Sequence, residues 1–350
     1  MKHVLLINRS EIPHYRVPVY NYLSDYLINN DIALSVVSEG IQKGKTCPVT
    51  FDSNETPLNI VNLLRLIVNK KPDVIIFWVN PALKMWIILY TAKLMKIKVI
   101  HWGHRRPLPP NVPIKNIIYN VVEHGVDDAI ILYAEHLREH VWRCFQSKIF
   151  IANNTLNLSA YKPLNQPKED VKARYGITTH KNIICVGRMQ RRKRIGDLLQ
   201  AFNKLELEDV GLILVGPDDE GILRNIESQN IFKLGPVYGD AILDLLSAAD
   251  VYCLPGAVGL SIVDAFYCGL PLITEDIVHG PEIMYLKDGI NGFMVHEGDI
   301  NQLTAKLKVL LTDDVLRDKF SQAARQEIMT NGHIDRMCEG FLNAIQYACR

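Results

Sequence analysis

Short apolar runs alternate with helix-length segments along most of the chain, and this alternation is what most restricts the fold. In the first half the runs fall at residues 3–7, 33–37, 74–79, 99–102, 129–133 and 149–151. Helical patterns lie between them at 18–29, 58–69, 81–95, 114–123 and 134–143. A second series has strands at 182–186, 211–215, 231–234, 251–254, 270–274 and 292–295. Its helices are expected at 168–175, 197–205, 221–227, 240–248, 261–268 and 299–311, and two helical patterns fill 315–348. Strands that are apolar almost throughout, rather than at every second residue, are buried on both faces, as in parallel sheets covered by helices. The expectation is an α/β chain of two Rossmann-like doubly wound domains facing a cleft. The first covers 1–157, a polar, proline-bearing linker covers 158–168, and the second covers 169–330. A C-terminal helix at 331–350 is expected to pack back on the first domain.

Composition excludes some classes. With 48% apolar and 22% charged residues the chain buries a full core and is neither disordered nor fibrous. The opening MKHVLLINRS reads as a first strand rather than a secretion signal. No apolar stretch is long and uninterrupted enough to span a bilayer, which takes about 20 residues. Seven cysteines are scattered without metal-like spacing, as free core thiols of a reducing compartment would be. Charge is uneven. Residues 1–155 carry 18 Lys and Arg against 12 Asp and Glu, and the remainder carries 21 against 26. A basic first half points to an anionic partner there, or to solvated charge that fell this way.

Four stretches carry candidate chemistry. VYCLPGAVGLSIVDAFYCGLPLIT, at 251–274, reads as strand, glycine turn, helix and strand. That geometry aims free amides and a helix start at one point, with Gly259, Leu260 and Ser261 at the turn and Asp264 a turn later. Gly187 and Arg188 follow a strand and open GRMQRRKRIGDLLQAF. Arg188 offers a planar fork to phosphate oxygens and Lys193 a point charge, while Arg191, Arg192 and Arg194 read as a solvated basic loop. VGPDDEG and LGPVYGD read as scaffold turns, the second with Asp240 as a helix cap. In the first half, HWGHRR follows a strand; His104, beyond the glycine, is the candidate, with His101 expected inside the strand. The loop after strand one carries His14 and Arg16, the latter a contact for phosphate or acceptor.

In order, GRMQRRK, LILVGPDDEG, KLGPVYGDAILDLLSAADVYCLPG, GLSIVDAFYCGLPLIT and PEIMYLKDGINGFMV resemble the retaining glycosyltransferases of family 4, with the GT-B fold. FIANNTLN is similar to the family's domain junction. The resemblance covers the second half; the first is matched only in architecture. It implies Arg188 and Lys193 on the diphosphate, the Gly259–Ser261 turn on phosphate and sugar, and Asp264 on the ribose hydroxyls. The family's paired glutamates, eight positions apart, correspond here to Gly256 and Asp264, so the first carboxylate is absent and the second is a methylene shorter.

The resulting expectation is transfer of a sugar from a nucleotide diphosphate-sugar to a glycan or lipid-linked glycan, with retention. No cofactor, metal or nucleic-acid partner is expected. The place of action is the cytoplasm, peripheral at the inner face of the membrane, where the lysine-bearing apolar helix at 82–98 meets an anionic surface or simply covers the sheet. A non-catalytic nucleotide-sugar-binding protein and a sugar-nucleotide epimerase remain as other uses of the architecture.

Overall fold

The computed structural model describes residues 1–42, 47–78, 83–103, 125–224, 226 and 228–350. His104, Arg105 and Arg106, and the helix expected at 114–123, lie outside them. The chain divides into two compact units, one made of Met1–Ser159 with His333–Arg350, the other of Ala160–Gly332. Each is built on one parallel sheet with helices.

In the first unit, β1 (Lys2–Ile7), β2 (Ile32–Ser38), β3 (Asp52–Glu55), β4 (Val74–Trp78), β5 (Lys98–Gly103), β6 (Ala129–Leu132) and β7 (Ile149–Ile151) line up as β3-β2-β1-β4-β5-β6-β7. β1, β4 and β6 are almost wholly buried, so apolar residues occur at successive positions. β3 was not anticipated. Its sequence, DSNE, is polar because it forms the sheet edge, where one side of the ladder faces away from the core. Helices α1 (Val17–Ile28), α2 (Ile60–Lys70) and α3 (Leu83–Leu94) cover the sheet. The helix expected at 134–143 is instead two 3₁₀ pieces, Glu135–His140 and Arg143–Lys148, broken at Val141 and Trp142 in extended conformation.

The second unit carries β8 (Lys181–Val186), β9 (Val210–Val215), β10 (Ile231–Gly235), β11 (Val251–Cys253), β12 (Leu272–Glu275) and β13 (Gly292–Val295), ordered β10-β9-β8-β11-β12-β13. Its helices are α4 (Lys168–Arg174), α5 (Ile195–Asn203), α6 (Asp240–Ser247), α7 (Ser261–Tyr267), α8 (Ile300–Thr312) and α9 (Asp314–Asn331). Asp299 and Asp313 start α8 and α9 by accepting the amides of Gln302 and Leu316. Among the described residues the helix expected at 221–227 does not form: residues 222–224 make turns, held by Asp218, which accepts the amides of Ile222 and Leu223. Asp240 is not a cap but the first residue of α6, whose cap is Gly239 at φ 65°.

The order of strands matters more than their number. From β8 the chain winds outward to β9 and β10, then returns to lay β11 on the other side of β8. The loops after β8 and β11 therefore diverge and leave a crevice at the carboxyl edge, where such sheets bind ligands. In the first unit the same reversal falls between β1 and β4.

The last helix, α10 (Ile334–Ala348), belongs to the first unit. Phe341 meets Trp102 edge-on at 5.0 Å, and Tyr347 lies 5.3 Å from Phe150. Its close approach depends on Gly340, where a β-carbon would sit 2.2 Å from the carbonyl oxygen of Ile151 and 2.9 Å from Cα of Ala152. Both obstacles are main chain and cannot swing aside. Gly340→Ala is expected to cost about 1–3 kcal/mol, read as a lower denaturation midpoint; an unchanged midpoint would show that α10 is not docked this way.

Candidate functional site

Glycines stand at or just beyond the carboxyl ends of four adjacent strands: Gly235 after β10, Gly216 after β9, Gly187 after β8 and Gly256 after β11. Gly187 and Gly216 cross so closely that a β-carbon on Gly216 would fall 1.9 Å from the carbonyl oxygen of Gly187. The row gives the edge a floor of main chain with little side-chain bulk.

Across the crevice two loops are laced together. The amide of Gly256 donates to the carbonyl of Lys193 at 3.0 Å, and that of Ala257 to Arg192 at 3.0 Å. A β-carbon on Gly256 would lie 2.3 Å from the carbonyl oxygen of Arg192 and from the main chain of Lys193. Any side chain at 256, a glutamate included, would force the loops apart. The close approach of the two loops is thus one that only glycine at 256 permits.

Lys193 sits at this seam, only 8% exposed, with Nζ donating to the carbonyl of Ala257. Burial and the neighbouring Arg192 push its ammonium down to about 8. It remains mostly protonated at neutral pH, and an anion beside it restores its affinity for the proton. Next along, the backbone amides of Gly259, Leu260 and Ser261 have no acceptor among the described residues. Space is open at Gly259, where a β-carbon would meet nothing within 4 Å. These residues are partly exposed and open a helix, whose first amides have no partner within it, so three adjacent free ones beside a cation form a concentrated donor surface.

Arg188, directly after Gly187, is 64% exposed on its side chain and, among the described residues, paired with Asp219, 3.6 Å away. An exposed pair at that distance contributes little and releases readily. Arg194 departs from the expectation of a solvated loop. It lies at φ 52°, with Nε on Asp197 at 2.6 Å and on buried Glu275 at 2.9 Å, and Nη1 on Glu297. The basic run therefore divides into one buried cation, one structural cation and exposed arginines.

Asp264, on α7, is partly exposed. Its Oδ1 accepts the hydroxyl of Tyr161 at 2.6 Å, and burial pushes its carboxyl up to about 6 against that hydrogen bond. Ser261 Oγ accepts the hydroxyl of Tyr252 at 2.7 Å. Two residues here escaped the sequence reading. Tyr161 lies in the stretch taken as linker. His279 accepts the amide of Val258 on Nδ1 at 3.1 Å, and its Nε2 donates to the carbonyl of Glu275 at 2.7 Å. Those partners require a neutral ring, and burial holds its pKa below the usual value. Acidification below about 6.5, the unperturbed histidine value, would work against this turn.

In the first unit Arg16 is not a solvated loop residue. It is 7% exposed, with its guanidinium over Trp102 at 5.5 Å and Tyr133 at 5.9 Å. Nη2 donates to Asn154 Oδ1, and Nη1 is buried without a partner. His101 lies inside β5, its ring edge-on to Phe77 at 4.9 Å and 3.9 Å from Asp127.

Residues 167–327 match the family described as Glycosyl transferases group 1. That span takes in most of the second unit, which is therefore similar in sequence to the group 1 glycosyltransferases. The chain is 31% identical over 158 residues to the phosphatidyl-myo-inositol mannosyltransferase of Mycobacterium leprae, covering 42% of each. It is 31% identical over 259 residues to the poly(ribitol-phosphate) alpha-N-acetylglucosaminyltransferase of Staphylococcus aureus, covering 71% of this chain and 50% of that protein. The chain thus spans about half the length, or less, of these curated relatives. Among solved structures, HepE of Anabaena in complex with UDP-glucose superposes with TM-score 0.75 at 14% identity, covering 99% of this chain and 100% of that one. The likeness in fold is to GT-B glycosyltransferases, with the two parallel sheets described above.

In the second unit, Gly256→Glu places at this position the residue expected there from the resemblance to family 4. We expect loss rather than gain: about 1–3 kcal/mol of stability from overpacking at the laced loops. A variant as stable as the parent in urea would show that the seam is not set by this close approach.

Proposed function

We propose that the chain transfers a sugar from a nucleotide diphosphate-sugar to a glycan or lipid-linked glycan acceptor, with retention of configuration and without a metal. The observation that carries this reading is the donor surface at the crevice: free amides of Gly259, Leu260 and Ser261 beside the buried ammonium of Lys193, with open space at Gly259. Charge accumulates on a diphosphate as it leaves an anomeric carbon, and fixed donors in a partly dry site stabilise that charge as it grows. Arg188 exchanges Asp219 for a phosphate oxygen. Asp264 takes the ribose. An α-linked product, as in the name of the staphylococcal relative, arises from an α-configured donor by retention. His104 remains the candidate from the first unit for the face of the reacting sugar, and Arg16 for the acceptor side.

A panel of nucleotide-sugars screened by thermal shift, followed by product analysis with and without acceptor, tests this reading. We expect one nucleotide to stabilise the protein and an α-linked product to form. Losing one charge-stabilising donor costs about 3–4 kcal/mol of barrier, so Arg188→Ala should lower kcat on the order of a hundredfold. Unchanged kcat in that variant would remove Arg188 from the site. Binding without turnover would favour a non-catalytic binder, a reading that Gly256 motivates, and an epimerised donor would favour an epimerase.

The acceptor side has its own observation. Val61 and Val68 on α2 and Ile87, Tyr90 and Leu94 on α3 recur at helical spacing and are exposed, Leu94 by 86%. Neither helix carries an acid, and Arg65, Lys71, Lys93 and Lys96 stand among these residues. An apolar stripe with a basic border suits peripheral contact with an anionic membrane, and the mycobacterial relative is named for a phosphatidyl lipid. Among the described residues no helix is long and apolar enough to cross a membrane. Co-sedimentation should show salt-sensitive binding to phosphatidylglycerol vesicles, weakened by Leu94→Glu and absent with phosphatidylcholine alone. Equal retention on both lipids, or on neither, would remove this surface from the proposal.

A further inference from the structure

Tyr161 enters none of the steps above, yet it makes the one side-chain hydrogen bond recorded for Asp264 among the described residues. We propose that Tyr161 is a ribose-recognition residue of the donor site, fixing Asp264 and supplying a second acceptor to the ribose diol; this rests on the nucleotide-sugar reading. Its hydroxyl donates to Oδ1 at 2.6 Å, which leaves Oδ2 without a partner. A phenol that donates still has lone pairs with which to accept. Oδ2 and the tyrosine oxygen together offer two acceptors to a vicinal diol, the number a bare carboxylate would offer. The ring is held in turn by Tyr267, one turn after Asp264 on α7, edge-on with centroids 5.1 Å apart.

The same contact accounts for the shorter side chain at 264. A glutamate would carry its carboxylate a methylene further, into the space the hydroxyl fills. Aspartate and tyrosine together reach where glutamate alone would. The titratable groups facing Asp264 are Tyr161, Tyr252 and Cys268, all driven upward by burial and neutral at working pH. Among the described residues, the hydrogen bond from Tyr161 is what draws the carboxyl back down from the value burial would impose.

Isothermal titration of wild type and Tyr161→Phe with UDP, GDP, ADP, CDP and their 2′-deoxy counterparts, between pH 5 and 8, tests this. Wild type should prefer the ribose form of one diphosphate and lose affinity as pH falls through about 6, the value for Asp264. Removing a bond that favours the ionised carboxylate raises its pKa, so in Tyr161→Phe that loss begins at higher pH. The preference for ribose should fall on the order of tenfold, as for a lost hydrogen bond that leaves a polar group unpaired, with affinity for the deoxy form unchanged. A merely structural role would weaken both forms alike. Asp264→Glu should bind poorly alone and recover when combined with Tyr161→Phe, which keeps the question open to test if the phenylalanine variant folds badly. An unaltered ribose preference and pH midpoint in Tyr161→Phe would overturn the inference while leaving the donor reading intact. If wild type binds none of the diphosphates, the donor reading itself fails and the inference with it.

Discussion

Two backbone hydrogen bonds, Gly256 to Lys193 and Ala257 to Arg192, hold the second unit's crevice together. They join loops that leave neighbouring strands where the chain reverses its winding, the one place in such a sheet where adjacent loops diverge. Joining them there brings a lysine stem beneath the turn, and beyond Val258, whose amide goes to His279, the amides of Gly259, Leu260 and Ser261 have no acceptor among the described residues. Had the loops stayed apart, Lys193 would be a solvated cation with its full hydration shell. Buried at the seam, it has given up part of that shell and its ammonium is easier to deprotonate, which is the physical sign of a charge ready to be matched.

Much of this was legible in the residues. Strands whose interiors are wholly apolar declare themselves, because burial on both faces leaves no polar position to confuse the count. The edge strand Asp52–Glu55 was invisible for the converse reason: at an edge the ladder needs only backbone, and its side chains look like a loop. The helix expected at 134–143 has the right spacing of apolar residues, but the chain turns out at Val141 and Trp142, and spacing does not record where a short segment must stop. Arg188 and Lys193 could be placed near the crevice from their position just beyond a strand. Their different states could not, since burial of one and exposure of the other are set by a loop sixty residues away.

The residues that sequence reasoning missed share a feature: each acts through a partner distant in the chain. Tyr161 reaches Asp264 across 103 positions. His279 acts over 21 positions, on a backbone amide, and nothing in the local pattern IVHGPEI marks a histidine as a turn clamp. Tyr161 carried the further handicap of lying in a proline-bearing, weakly periodic stretch. Such stretches read as linker because they lack helical or strand period, yet absence of period says nothing about whether a single ring is held.

Under the proposed reading of the chain as a family 4 enzyme, Gly256 and Asp264 make the departure from the paired glutamates coherent. At one position a carboxylate is exchanged for closeness of backbone, at the other a methylene for a hydroxyl from the junction. Both changes reduce negative charge at the crevice or draw it back, and both tighten the frame around it. A site whose task is to receive a diphosphate benefits from fewer fixed anions, since each nearby carboxylate raises the cost of bringing the ligand in. The one fully buried carboxylate close to the seam, Glu275, obeys the same logic. Arg194 and the amide of Gly298 hold one of its oxygens, so its charge is countered from the scaffold side, while buried Glu282 is the carboxylate that acts on Lys193 and favours its protonated form.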